Sequence, residues 1–155
     1  MTCRACGASN ADFVLFCRAC GRAVAPNENV ECENHSAVNA TGACVVCGKP
    51  VCEDCSVSLD GKVYCDDVRH SQLSAAFTRI GYAADEFEGE LIAKNLEPSG
   101  IPVKAFCRSR YSHFCRVTDE ERVAIYVASP QADDAVRLLK ESALIEFLSI
   151  EKGAL

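Results

Sequence analysis

The chain has 155 residues, a formal net charge of −6 and twelve cysteines, long enough for one domain or for two or three small ones. No window approaches eighteen consecutive apolar residues, which excludes a membrane-spanning helix of ordinary length. Residues 1–75 carry six Lys and Arg against nine Asp and Glu, and that acidic balance repels phosphate and argues against general nucleic-acid binding.

The cysteines are unevenly placed. Ten lie in the first 65 residues, and only Cys107 and Cys115 fall in the remaining ninety. Short segments cannot bury enough apolar surface to offset chain entropy, so the N-terminal half needs staples. Disulfides would require an oxidising compartment, yet Met1-Thr2-Cys3-Arg4 opens the first motif with no room for a signal peptide. Repeated C-x-x-C pairs suit tetrahedral zinc better than long-range bridges. A cytoplasmic zinc protein is expected.

Residues 3–20 read C-x2-C-x10-C-x2-C, with Gly7 and Gly21 directly after each pair. A zinc knuckle turns sharply after its second cysteine so that backbone N–H groups point at the sulfurs, and glycine reaches the required positive φ without a Cβ clash. Phe13, Val14, Leu15 and Phe16 supply a strand and a small apolar cluster between the knuckles. Residues 1–24 resemble the short zinc ribbon found at the N-termini of many bacterial proteins, with Cys3, Cys6, Cys17 and Cys20 as ligands. Residues 22–31, with Pro26, Asn27, Glu28 and Asn29, read as a linker that lets the ribbon tilt independently.

Residues 32–70 hold eight potential ligands in four pairs: Cys32/His35, Cys44/Cys47, Cys52/Cys55 and Cys65/His70. Eight thiolate and imidazole donors suffice for two four-coordinate zinc ions. The chain from Cys47 to Cys52 spans at most about 17 Å, so interleaved and sequential wiring are both open on geometry. The order of pairs over residues 30–72 resembles the B-box zinc finger, which implies a cross-brace. Carried over, Cys32, His35, Cys52 and Cys55 hold one zinc, and Cys44, Cys47, Cys65 and His70 the other. The last pair departs from the family, because four residues separate Cys65 from His70 and either Asp66 or Asp67 is an alternative oxygen ligand.

Residues 71–76 (SQLSAA) read as a short polar connection. Beyond them the texture changes. Phe77–Tyr82 is strand-like, Asp85 and Glu88 form a capping pattern, and Gly89, Ile92, Ala93 and Leu96 share one helical face before Pro98-Ser99-Gly100 stops the helix. Ile101–Cys107 returns as a strand and Val123–Val127 alternates as a half-buried one. Ser129-Pro130 reads as a cap with proline at the first helical position, and Ala132, Ala135, Val136 and Leu139 repeat the helical spacing. Leu144–Ile150 is the predicted final strand. Two β-α-β halves over residues 76–151 predict an α+β, βαββαβ ferredoxin-like sheet with both helices on one face. The run EGELIAKNLEPSGIPVKAF, followed by VAIYVASPQADDAVRLLKE, is similar to a small family of prokaryotic signal-transducing domains. Gly89 stands where that family has alanine, weakening the helix but permitting close approach to the sheet.

Lys104, Arg108, Arg110, Tyr111, His113 and Arg116 form the one basic, aromatic stretch of an acidic protein. They are a candidate loop for an anionic ligand or a partner's acidic segment; a solvated hairpin tip is the plain alternative. Cys107 and Cys115 flank it and are expected to be small buried thiols, with a redox pair or a further metal site as alternatives.

No phosphate loop, H-E-x-x-H or Ser/His/Asp arrangement is apparent, and fully protein-coordinated zinc is the structural pattern rather than the catalytic one. The expectation is a non-enzymatic bacterial adaptor or regulatory protein with three zinc ions. Its zinc modules would present a surface to a protein partner, and its C-terminal domain would sense or dock a partner or a small anionic ligand. A thiol/zinc redox switch and a nucleic-acid-binding ribbon using Arg4, Arg18 and Arg22 are the alternatives.

Overall fold

The computed structural model describes residues 1–12, 14–26, 29–111 and 122–150, and the chain falls into two compact units. Met1–Ser74 forms the first, together with Arg110 and Tyr111; Ala75–Ser109 and the described part of Val117–Leu155 form the second.

The first unit is built from three two-stranded antiparallel hairpins. Strand β1 (Glu31–Cys32) pairs with β2 (His35–Asn39), β3 (Gly42–Ala43) with β4 (Pro50–Val51), and β5 (Val57–Leu59) with β6 (Lys62–Tyr64). Isolated hairpins of this size are marginal in water, and every residue of β2 and β5 is exposed. Val14, Phe16, Val45, Val46, Val51 and Val63 are buried, a small apolar set that leaves the knuckles to supply the remaining stability.

Residues 22–31 do not leave the N-terminal segment free to tilt, contrary to expectation. Ala43 N–H donates to Gly21 O at 2.7 Å, Val63 N–H donates to Cys20 O at 2.9 Å, and Arg22 forms a bridge with Gly42. At Gly21, φ is 77°, and an added Cβ would run into Ala43 O and crowd Val63 and Val45. The Cys17–Cys20 knuckle therefore shares backbone pairing with β3 and β6.

The expected polar connection at 71–76 is also corrected. Helix α1 spans Val68–Ala76 and buries His70 and Leu73. These residues are one turn apart, so one face of a mostly polar helix is turned inward.

In the second unit, β7 (Phe77–Ala83), β9 (Val123–Ala128) and β8 (Val103–Cys107) form an antiparallel sheet in that order, with β9 central. A register shift between Arg79 and Gly81 bends β7. Helix α2 (Glu86–Leu96) begins as predicted: Glu88 N–H donates to Asp85 Oδ1 at 2.8 Å, and Ala84 N–H to Glu88 Oε2 at 2.9 Å. Helix α3 covers Ala132–Glu141. Ile92 and Leu96 of α2 and Ala135, Val136 and Leu139 of α3 share one core with Val123, Ile125 and Val127 of β9. A Cβ on Gly89 would lie 3.3 Å from Val123 Cγ1, so glycine does permit the close approach of α2 to the sheet.

Two local expectations change here. Ser129-Pro130 lies in a 3-10 turn (Ser129–Gln131) that precedes α3, and the Ser129 hydroxyl accepts from Thr78 Oγ1 at 2.8 Å instead of capping the helix. The predicted strand over Leu144–Ile150 is a 3-10 turn at Leu144–Phe147, introduced by Ala143 at φ 57°. Only Ser149 pairs, with Tyr82 of β7, through two backbone hydrogen bonds of 3.0 and 2.8 Å. Gly81 makes room for this return, because a Cβ there would lie 2.7 Å from Leu148 Cγ.

Candidate metal centres

Three groups of four donors converge in the first unit: Cys3, Cys6, Cys17, Cys20; Cys32, His35, Cys52, Cys55; and Cys44, Cys47, Cys65, His70. Within each group the ligand atoms all lie within 4.8 Å of one another. The second and third groups interleave along the chain, which is the arrangement implied by the B-box resemblance.

The knuckle geometry follows from local backbone chemistry. Gly7, Gly21 and Gly48 take φ of 74°, 77° and 80°, and their N–H groups donate to the carbonyls of Cys3, Cys17 and Cys44 at 2.9, 2.8 and 2.8 Å. Gly48 repeats the signal read at Gly7 and Gly21. Cys52–Cys55 is different: Glu53–Cys55 is a 3-10 turn followed by extended Ser56.

The donor spacing fits zinc. Zn–S bonds of about 2.3 Å at the tetrahedral angle place sulfurs about 3.8 Å apart. Cys3 and Cys20 sulfurs are 3.7 Å apart, Cys6 and Cys17 3.6 Å, and Cys47 and Cys65 4.0 Å. These separations are far longer than a disulfide bond. His35 Nδ1 lies 3.5 Å from Cys52 Sγ and 3.3 Å from Cys55 Sγ. His70 Nδ1 lies 3.6 Å from Cys44 Sγ and 3.2 Å from Cys65 Sγ.

Electrostatics point the same way. Burial pushes the Cys3 thiol up, but the N–H groups of Cys6 and Ala5 outweigh it and bring the pKa to about 7. Burial likewise opposes ionisation of Cys32, and backbone donors from Cys52 and Asn34 hold it at about 6. Hydrogen bonds from the Cys47 and Cys65 thiols pull Cys44 down to about 3, while the same crowding pushes Cys47 far upward. Burial, with Cys6 and Cys17 beside it, also raises Cys20. Thiols packed this closely cannot all ionise in each other's presence. A divalent cation removes the conflict, so the donor sets suit one zinc ion each.

The structure assigns the disputed eighth position geometrically. His70 sits among the sulfurs, whereas Asp66 accepts from Lys49 Nζ at 2.7 Å and from Asn34 Nδ2 at 3.2 Å. Asp67 pairs with Arg69 at 2.7 Å, which holds its carboxyl at about 2, and its Oδ2 lies 3.8 Å from His70 Nε2 on the ring side away from the sulfurs. A carboxylate behind a ligating imidazole orients the ring.

Two asparagines support the sulfurs and escaped the motif reading. Asn10 Nδ2 donates to Cys17 Sγ at 3.5 Å and to Ala8 O at 3.0 Å, while its Oδ1 accepts from Arg18 N–H at 3.0 Å. Asn34 Nδ2 donates to Cys55 Sγ at 3.4 Å as well as to Asp66, linking the second donor set to the loop of the third. For Asn34 the available signal was an amide inside a ligand pair; Asn10 lies between two pairs and carries no such signal.

The described members of the basic stretch each have their own contacts. Lys104 Nζ lies 4.9 Å from the Phe77 ring centroid and Arg108 stacks 5.0 Å from Tyr82. Arg110 instead pairs with Glu33 at 3.1 Å and groups, like Tyr111, with the first unit. His113, Arg116 and Cys115 lie outside the described residues. Cys107, expected to be buried, is exposed at the end of edge strand β8.

The model of the B-box zinc finger family matches residues 27–59, well under half of the chain. The match takes in Cys32, His35, Cys44, Cys47, Cys52 and Cys55 and stops before Cys65 and His70, so geometry alone carries the last pair. No curated protein and no solved structure is significantly similar to the chain. Site and match together define a zinc-binding protein of the finger type. Among the described residues, no helix is long and apolar enough to cross a membrane.

Proposed function

We propose that this is a non-enzymatic zinc scaffold, an adaptor or regulatory protein of the bacterial cytoplasm whose zinc-held hairpins dock another protein. The observation that carries this reading is the closure of all three donor sets: each supplies four protein ligands. Such a site leaves no position for a reactive water, unlike catalytic zinc. Its free energy goes into folding, on the order of 10–16 kcal/mol per structural ion. B-box zinc fingers are often protein-interaction modules. Val38, Val57 and Leu59 are exposed on hairpins that have little else to hold them, and they form the proposed contact surface.

The N-terminal donor set is read as a zinc ribbon fused to the B-box-type module. The second unit is read as ferredoxin-like, its strand order β7–β9–β8 completed on the β7 side by Ser149. It acts as the sensing module, for a partner or a small anion. The test is capture of the full-length zinc-loaded protein's partner from its native cells, set against V38D, V57D and L59D variants and a chelated sample. A protein bound by the zinc-loaded form and lost in both comparisons supports the reading. Binding unchanged by both overturns it.

A further inference from the structure

The face of the C-terminal sheet opposite the helices carries an unusual charge. By alternation along β8, Lys104, Phe106 and Arg108 point away from α2, as do Arg79 and Tyr82 on β7. On that face the central strand β9 presents Tyr126, between Arg79 and Lys104, and the methyl group of Ala124, between Tyr82 and Phe106. That small residue lets Arg108 reach across the sheet. Its N–H extends the β8–β9 ladder by donating to Arg122 O at 2.7 Å, and its guanidinium carbon lies 5.0 Å from the Tyr82 ring centroid. The Arg79 guanidinium lies 4.8 Å from the same centroid.

Arg108 is only 2% exposed, and among the described residues its Nε and Nη1 have no hydrogen-bond partner. A buried guanidinium is normally paired, because taking a charge out of water is costly unless a partner and hydrogen bonds compensate it. Stacking on tyrosine offsets only part of this and leaves Nε and Nη1 unmet. A second guanidinium, that of Arg79, stacks on the same ring. The missing element is an acceptor with negative charge.

We infer that Arg108, with Arg79 beside it on Tyr82, is the binding site for a small oxyanion, a phosphate or carboxylate group. This rests on reading the C-terminal unit as the sensing module and gives that module a ligand class. Guanidinium donors in a water-poor setting suit such groups, whose hydrogen bonds to a charged donor are short and strong. Tyr82 is fully buried, so its ring is closed to a base or sugar and the anionic group itself is what the site reads.

The test uses the full-length, zinc-loaded protein. The Nε–H resonance of Arg108, assigned by its loss in R108K, is followed by NMR during titration with inorganic phosphate, and in parallel with sulfate and acetate. Saturable movement of that resonance is expected, with phosphate and sulfate favoured if the site takes a tetrahedral anion and acetate if it takes a carboxylate. Followed through the Arg79 Nε–H resonance, which R108K retains, the binding weakens about tenfold or more in R108K, a difference of about 1.4 kcal/mol, and R137A on α3 leaves it unchanged. No saturable shift with any of the three at millimolar concentration overturns the proposal, as does equal loss in R137A. R108M provides the check on folding: without anion it unfolds no earlier than wild type, and the rise in unfolding temperature with the favoured anion disappears. A lower midpoint with that anion-dependent rise intact overturns the site. Either failure leaves the zinc scaffold standing, since no zinc donor is touched.

Discussion

The backbone N–H of Ala43 donates to the carbonyl oxygen of Gly21 at 2.7 Å. Gly21 directly follows the ligand Cys20, and Ala43 directly precedes the ligand Cys44. Two metal centres that a motif scan treats as beads on a string are thus one hydrogen bond apart through the backbone. Val63 N–H, two residues before Cys65, closes the same contact on Cys20 O at 2.9 Å.

A pair of glycine substitutions tests this coupling. Gly7 and Gly21 have nearly the same φ, 74° and 77°, so alanine at either incurs the left-handed penalty, about 1–2 kcal/mol. Only at Gly21 does the new methyl collide with a neighbour; nothing lies within 4 Å of it at Gly7. In chelator competition, G7A is expected to weaken the Cys3 site alone, and G21A to release zinc from both the Cys3 and Cys44 sites. Equal profiles for the two variants would show that the contact does not couple them.

The last ligand is separable from its acidic neighbours. H70A is expected to lose the zinc held with Cys44, Cys47 and Cys65, lowering the count by at least one ion. D66N keeps full stoichiometry, because Asp66 faces Lys49 and Asn34. D67N keeps the ion but weakens it, within the 10–100-fold range typical of an orienting partner. Metal analysis after dialysis distinguishes the three.

Chelation divides the molecule at its unit boundary. With zinc removed, residues 1–74 lose hydrogen-exchange protection, since hairpins this short have little core of their own. The sheet and helices after Ala75 stay protected, because Ile92, Leu96, Ile125, Val127 and Leu139 are packed at 0% exposure without any metal donor. Loss of protection throughout the chain would contradict this.

Within the C-terminal unit, two glycines respond differently to alanine. G81A drives its methyl against Leu148 Cγ and Ser149 O, at 2.7 and 2.8 Å, and is expected to cost about 1–3 kcal/mol. G89A meets Val123 at 3.3 Å, and the crowding is offset by about 1 kcal/mol of helix propensity. Denaturant melts should show G81A clearly destabilised and G89A close to wild type.

The ligand sets were legible because thiol and imidazole donors are rare and their spacing is local; the Asp85 cap and the α2 and α3 faces were legible for similar reasons. What escaped was held by backbone or by distant contacts. The pairing of Gly21 with Ala43 leaves no side-chain trace, and Gly21 carries the same turn signal as Gly7, which has no such partner. Helix α1 reads as polar because its only inward residues are His70 and Leu73. The last strand failed because branched residues at 144–150 fill the core from a turn, and a single residue, Ser149, reaches the sheet.

The central claim is three closed zinc sites in one chain. Cadmium-113 NMR of the exchanged full-length protein, with metal content measured on the same sample, tests it most directly. The account predicts three ions and three resonances, one in the four-thiolate region for Cys3, Cys6, Cys17 and Cys20, and two in the three-thiolate, one-imidazole region. One or two ions per chain, or a resonance pattern without two imidazole-bound sites, would contradict it.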